Sequence, residues 1–340
     1  MTALDNLRDR VRHWWSRDAE HMVYHFLPTA SAEPVPRDSY LRLWIGDLFI
    51  AEARRQGADV LPALRASVAM TRPDGLRGVR STVWQAEPGQ EAQGVRSGAL
   101  TGWFPYSGGT VSVQACLYAI KANDSLRLAM EVIGALTSAA APALASVAGL
   151  GEQLAKGIDR VEAAIEDAGS GPVLVLDKDY AADSATGALR PGHIVVINTP
   201  AAAFDVNGLA YADGRLTHHG APLDGLDYLL IEIQATRNRD DWIFPQLDEL
   251  FQAAREAAAR GETERLDRLR RELLALVYTC ADLTHTDQKR VAARLKEELE
   301  EVSRGVSARG TITSIGRMVA ERGLPNARQV AHLTLSDLLD

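Results

Sequence analysis

The sequence predicts an α+β protein, and three observations predict it. Short runs of alternating apolar and polar residues recur between His21 and Ile120 and again within 170–236, bounded by Gly- and Pro-rich turns. Helical periodicity takes over from Trp242 to Arg304. A third, Ala-rich stretch of helical character separates the two strand-bearing regions. The expected organisation is an N-terminal amphipathic helix at 1–20 and a β-rich region at 21–122, an antiparallel sheet or sandwich. A helical insert follows at 123–169, then a second small mixed sheet at 170–236, antiparallel helices at 237–304 and a tail at 305–340.

The elements follow in order. Leu7, Val11, Trp14 and Trp15 share one face of a short helix, and paired tryptophans of this kind dock on a domain. HMVYHFL is a strand closed by Pro28, and SAEPVPRDS is loop. YLRLWIGDLFIAEAR suits either a helix or a strand kinked at Gly46. LRASVAMT and VRSTVWQAE are strands. In VSVQACLYAI, Val111, Val113, Ala115 and Leu117 fall on one face, with Gln114, Cys116 and Tyr118 on the other.

Asn123 or Asp124 caps the insert. From Val132 to Gly151 it carries no charge, about the length of a membrane span. Its Ala, Ser and Gly content and Pro142 favour a buried helical hairpin over insertion into a bilayer. LVLDKD and HIVVIN are buried strands, FDVNGLAYADGRLTHHG is a hairpin with Asn207-Gly208 and Asp213-Gly214 as turn signals, and LDYLLIEIQA is the clearest strand of all. Pro245 opens a helix that Gly261 ends; a second helix follows, and Thr286 or Asp287 caps a third.

Composition narrows the function. The chain has 340 residues, 46% hydrophobic and 24% charged, with a net charge of -8. Phosphate neutralisation needs concentrated Lys and Arg, so nucleic acid is not the expected partner. Cys116 and Cys280 have no metal spacing and read as two buried thiols of a reducing compartment. The N-terminus lacks the apolar core of a signal peptide, so a cytoplasmic protein is expected. The preference for Ala and Arg over Ile and Lys suggests a bacterial source.

Neither phosphate-binding loops, nucleophile elbows nor zinc-binding spacings occur, and no cofactor or metal is expected. His218 and His219 are adjacent and point apart if extended. Glu232 and Gln234 share one face of an apolar strand, opposite Leu229, Ile231 and Ile233. With an upstream acid such as Asp213, Asp224 or Asp227, this pattern resembles the metal-binding half of a PD-(D/E)xK nuclease. That resemblance implies a divalent cation held by two carboxylates beside a lysine, but Gln234 stands where the lysine belongs.

Arg237, Arg239, Asp240, Asp241 and Trp242 crowd the junction between this strand and the next helix. The acids suit a helix N-terminus, and the arginines suit Asp177 and Asp179 at the end of LVLDKD. An anion or peptide site built on Arg237 and Arg239 is the functional alternative. Trp103, Phe104 and Tyr106 around Pro105 read as an exposed aromatic turn able to anchor an interface. The favoured expectation is a non-enzymatic interaction or assembly protein (scaffold, sensor or adaptor) of a bacterial multi-protein system, in defence or stress. It would self-associate or bind a protein partner. A Glu232-dependent nuclease or hydrolase and a membrane-active effector using 132–151 are the alternatives.

Overall fold

Strands form where the alternation placed them, and helices where the period changed. The computed structural model describes residues 9, 11–13, 15–16, 19–29, 33–51, 60–71, 77–85, 98–121, 172–181, 188–239, 241–280, 282–305, 312, 314–334 and 336–337. The uncharged stretch 132–151, the amphipathic segment after it, and the Asn123 and Asp124 caps lie outside the described residues, as does Asp240. Among the described residues, no helix is long and apolar enough to cross a membrane.

The chain is α+β. It divides into two compact units. Unit 1 comprises Met1–Arg37, Leu41–Gly102 and Gly108–Ala235; unit 2 comprises Asp38–Tyr40, Trp103–Ser107 and Thr236–Asp340. The strands are β1 (Val23–Pro28), β2 (Ser39–Phe49), β3 (Val60–Thr71), β4 (Arg77–Gln85), β5 (Gly98–Ala99), β6 (Phe104–Tyr106) and β7 (Thr110–Lys121). After the insert come β8 (Pro172–Ala181), β9 (Gly192–Ile197), β10 (Leu209–Ala212), β11 (Arg215–His218), β12 (Ala221–Pro222) and β13 (Tyr228–Thr236).

They form three sheets. One has the order β4-β3-β7-β8, antiparallel throughout. Another runs β1-β9-β13-β2-β5, with β6 beside β2. The third is the small antiparallel sheet β10-β11-β12. The strands of 170–236 therefore do not keep to a sheet of their own. β8 pairs with β7, while β9 and β13 lie between β1 and β2. Only β10 to β12 stay separate, because their short strands and tight turn pair locally.

In unit 1, Val195, Ile197, Tyr228 and Leu230 share a core with Leu209, Leu216 and Leu223 of the small sheet. The small sheet thus covers one face of β9 and β13. Within β2, Gly46 lies so close to Leu230 that a Cβ would meet its Cδ2, and Asp47 Oδ2 accepts from the Tyr228 hydroxyl at 2.7 Å. β2 runs unbroken through Gly46, so of the two readings of this stretch the strand is the one that forms.

Of the N-terminal face, Leu7 and Trp14 lie outside the described residues, and Val11 and Trp15 are described. Val11 is buried, Trp15 meets Tyr24 edge-on with 6.5 Å between ring centres, and Lys178 Nζ lies over both rings.

Unit 2 is helical: α1 (Pro245–Arg260), α2 (Thr263–Thr279), α3 (His285–Ser303), α4 (Ile315–Arg322) and α5 (Ala327–Val330). Phe251, Leu273, Val277, Val291, Leu295 and Met318 form its core. Gly261 ends α1 at φ 71°, the left-handed conformation that lets its N–H turn back to the helix carbonyls. Two cap assignments need correction. Phe244 precedes α1 with no side-chain cap, so Asp241 is not the N-cap. Thr284, two residues before the expected cap, accepts from the Asp287 N–H at the start of α3.

Asp287 is then buried inside unit 2, where Tyr40 donates to it at 2.8 Å and Arg290 at 2.7 Å. Buried Glu298 likewise meets Arg255 at 3.4 Å and Arg322 at 3.0 Å.

Candidate functional site

Alternation along β13 buries Leu229, Ile231 and Ile233 and leaves Glu232 and Gln234 half-buried, as the sequence implied. Glu232 and Gln234 line an open cleft of about 290 Å³ in unit 1, together with Arg42, Trp44, Gly46 and Tyr211. Arg42 and Trp44 alternate along β2, so both face the cleft. Tyr211 enters from β10, where Asp213 and Gly214 make the hairpin turn at φ 53° and 73°.

The polar groups of the cleft are chained together. Arg42 Nε donates to Gln234 Oε1 at 2.5 Å, and Gln234 Nε2 donates to Glu232 Oε1 at 2.8 Å. The Arg42 guanidinium lies 5.0 Å from the centre of the Trp44 ring, a cation–π arrangement. The Tyr211 hydroxyl donates to the Gly46 carbonyl at 3.2 Å.

His193 pairs with Glu232 across the strands, and its ring centre is 4.5 Å from that of Tyr211. Burial pushes the His193 pKa below its ordinary value, while the Glu232 charge and the Leu27 carbonyl oppose the shift.

The chemistry differs from the nuclease pattern. Gln234 presents an amide to Glu232 where a lysine would serve an attacking water. Asp213 is exposed in its turn and is not among the cleft-lining residues; Asp224 is exposed; Asp227 accepts from the Ala51 and Asn198 nitrogens. Among the described residues, no group of three or more His, Cys, Asp or Glu side chains could hold a metal ion.

The junction after β13 belongs to unit 2 and is built around Arg239. Its guanidinium reaches Asp241 at 2.5 Å and the Asp282 carbonyl at 3.0 Å. It also lies 5.0 Å from the Phe244 ring centre and 5.9 Å from that of Tyr40. The Trp242 indole donates to the Arg239 carbonyl at 3.0 Å. Arg237 is exposed.

The expected pairing of Arg239 with the LVLDKD acids is therefore corrected, because Asp241, two residues on, is the nearer anion. Asp177 instead accepts from Arg12 at 3.3 Å and Gln114 at 3.0 Å, seating the N-terminal helix. Trp103, Phe104 and Tyr106 are buried and do not make an exposed turn. The alternation of FPY cannot distinguish an interior strand from a surface one.

The two histidines sit where β11 gives way to a turn, His218 half-buried and His219 exposed, so the divergence expected of an extended pair does not apply. His219 takes φ 50°, which brings its ring centre 4.3 Å from that of His218. Positive φ breaks the alternation that would have separated them. His218 Nε2 meets the Asp205 carbonyl at 2.9 Å, and His219 Nε2 lies 3.4 Å from the Asp205 carboxylate. Cys116 is buried, and burial pushes the half-buried Cys280 thiol up to about 11, which suppresses the reactive thiolate.

Sequence reasoning found Glu232 and Gln234 but missed Arg42, Trp44, His193 and Tyr211. The i, i+2 spacing of Arg42 and Trp44 in LRLWIGD was the one local signal available for two of them. Comparison of the whole chain with protein families, curated proteins and solved structures gives no significant match, so the site stands on its geometry alone.

Proposed function

We propose that this chain is a non-catalytic interaction or assembly protein that docks a protein partner on the junction leading into α1. The observation that carries the reading is Ile243. Its side chain is 66% exposed between half-buried Trp242 and buried Phe244. The backbone beneath it is pinned: Arg239 grips Asp241, Trp242 donates to the Arg239 carbonyl, and the Ile243 N–H donates to the Asp241 carbonyl at 2.9 Å.

An apolar side chain presented from a pre-ordered segment costs little entropy when it is covered. Exposed Arg237 adds a polar group close by in sequence, on the pattern of an apolar anchor with a charged rim. The uncharged stretch 132–151 is a further candidate contact surface, and a bacterial multi-protein system of defence or stress is the physiological setting we propose.

The test is capture from the native host combined with light scattering, for the parent and for Ile243→Asp. The parent is expected to retain a partner or self-associate, and the variant to lose at least about tenfold in affinity, the loss of one hot-spot anchor. A strictly monomeric parent that captures no partner overturns the reading.

A further inference from the structure

The end of unit 2 folds over α3 as a strap with two limbs, and the two are held differently. The outgoing limb, 323–325, lies along a pair of arginines. Arg294 Nε donates to the Gly323 carbonyl at 2.9 Å and Arg290 Nε to the Pro325 carbonyl at 2.7 Å. Each arginine also has a carboxylate of α3 itself, Glu297 at 2.6 Å and Asp287 at 2.7 Å.

The returning limb, 331–337, of which Leu335 lies outside the described residues, runs along a pair of lysines. Lys289 Nζ donates to the Ala331 carbonyl at 3.0 Å and Lys296 Nζ to the Asp337 carbonyl at 2.9 Å. Among the described residues, the hydrogen bonds of both ammonium groups therefore end on neutral carbonyl oxygens. The Asp337 carboxylate is turned to Thr334 instead, accepting from its N–H and its hydroxyl at 2.7 Å each. Those two bonds, and behind them the His332 and Lys296 charges, hold the Asp337 carboxyl below its usual range.

Little else secures this limb. Ala331, His332, Thr334, Ser336 and Asp337 are exposed, and half-buried Leu333 is its apolar contact with the unit 2 core. Exposed hydrogen bonds contribute little against the entropy of ordering a chain segment. Lys289 and Lys296 are half-buried on α3. Seven residues apart, they share one helix face about 10 Å apart along the axis. A carboxylate is a stronger acceptor for an ammonium group than a peptide carbonyl is. The lysine pair is thus occupied by a weak ligand and suited to a stronger one.

We propose that the limb 331–337 is a displaceable latch, and that the lysine pair docks an extended acidic segment of a partner protein in its place. Carboxylates at i and i+3 of a polyproline-type segment lie about 9 Å apart on one face, a match for Lys289 and Lys296. A neighbouring apolar residue takes the seat that Leu333 leaves. The outgoing limb stays, because its arginines keep their own carboxylates and Val330, 2% exposed, anchors the strap ahead of the latch. This surface uses none of the residues around Ile243, so its failure and that of the Ile243 reading are separate outcomes.

The probe is a labelled peptide of four Glu-Pro-Leu repeats, with Gln-Pro-Leu repeats as its uncharged counterpart. Fluorescence anisotropy with the full chain reads affinity, and hydrogen exchange by mass spectrometry reads the latch. The latch amides in hydrogen bonds are Leu333, bonded to the Val330 carbonyl, and Thr334 and Asp337, bonded to each other's side chains. The acidic peptide is expected to bind about tenfold or more tightly than its counterpart, the effect of charged contacts, and to speed exchange within 331–337 but not in α1.

Lys289→Gln combined with Lys296→Gln is expected to abolish that preference. Leu333→Ser loosens the latch and is expected to tighten peptide binding about threefold or more, because a competing closed state is depopulated. Equal binding of the two peptides overturns the proposal, as does no binding up to about 1 mM. Binding that leaves exchange within 331–337 unchanged overturns the latch, and so does Leu333→Ser without tighter binding. The two peptides compared on the parent chain decide the matter without any variant.

Discussion

Arg239 in unit 2 and Arg42 in unit 1 are assembled from the same kinds of parts and end in opposite states. Each arginine is held by a polar side chain and lies over an aromatic ring. The Arg239 side chain is only 5% exposed, and its own chain meets it with a carboxylate, a carbonyl and two rings. Arg42 borders an open cleft. A closed arginine centre sets the course of the backbone. Arg42 instead lies at the edge of its cleft, in contact with the Gln234 amide and the Trp44 ring. Residue type does not separate the two settings; the groups packed around each guanidinium do.

Mutation can break this contrast. Arg239→Met keeps the stem but removes the charged contacts that pin the junction. It is expected to lower unfolding free energy by about 2 kcal/mol in urea titration, the scale of losing a largely buried charged hydrogen-bond set. Arg42→Met is expected to cost below about 1 kcal/mol in the same experiment, since a half-exposed contact is weakened by solvent. Equal losses would dissolve the distinction between the centres.

The smallest effect near neutrality concerns Tyr40, a ring of the closed centre. Burial, and then the Asp287 charge, raise its pKa above the ordinary phenol value. A raised phenol pKa favours the folded state fully below the unfolded value of about 10. That contribution is lost as pH rises beyond it. Tyr40 is therefore expected to stay protonated in the folded protein while exposed tyrosines ionise. Absorbance near 295 nm should then show a residual step that coincides with alkaline unfolding. A step that precedes unfolding in the parent and is missing from Tyr40→Phe would place Tyr40 in a wetter setting.

Much of this was legible in the chain, and the exceptions have physical causes. The alternation in IEIQA put Glu232 and Gln234 on one face because a strand's period is fixed by its backbone. Pro245 and Gly261 bracketed α1 for equally local reasons. The partners of Glu232 were not legible, because β2 joins β13 across most of the chain and no local pattern encodes that neighbour. Arg239 was assigned to distant acids because the sequence does not show that Asp241, two residues away, can fold back to it. The rings of His218 and His219 converge through a positive φ at His219, which strand alternation does not anticipate although histidine tolerates that region better than most residues.

The interleaving of β1-β9-β13-β2 also shapes how the protein is made. A ribosome delivers β1 and β2 early, and neither can find its central neighbours until β9 and β13 have left the exit tunnel. Such non-local pairing is slow, because a long loop must close before any contact rewards it. The sheet that carries the cleft is therefore a late product of synthesis, whereas the hairpin pairing of β3 and β4 can form on the nascent chain.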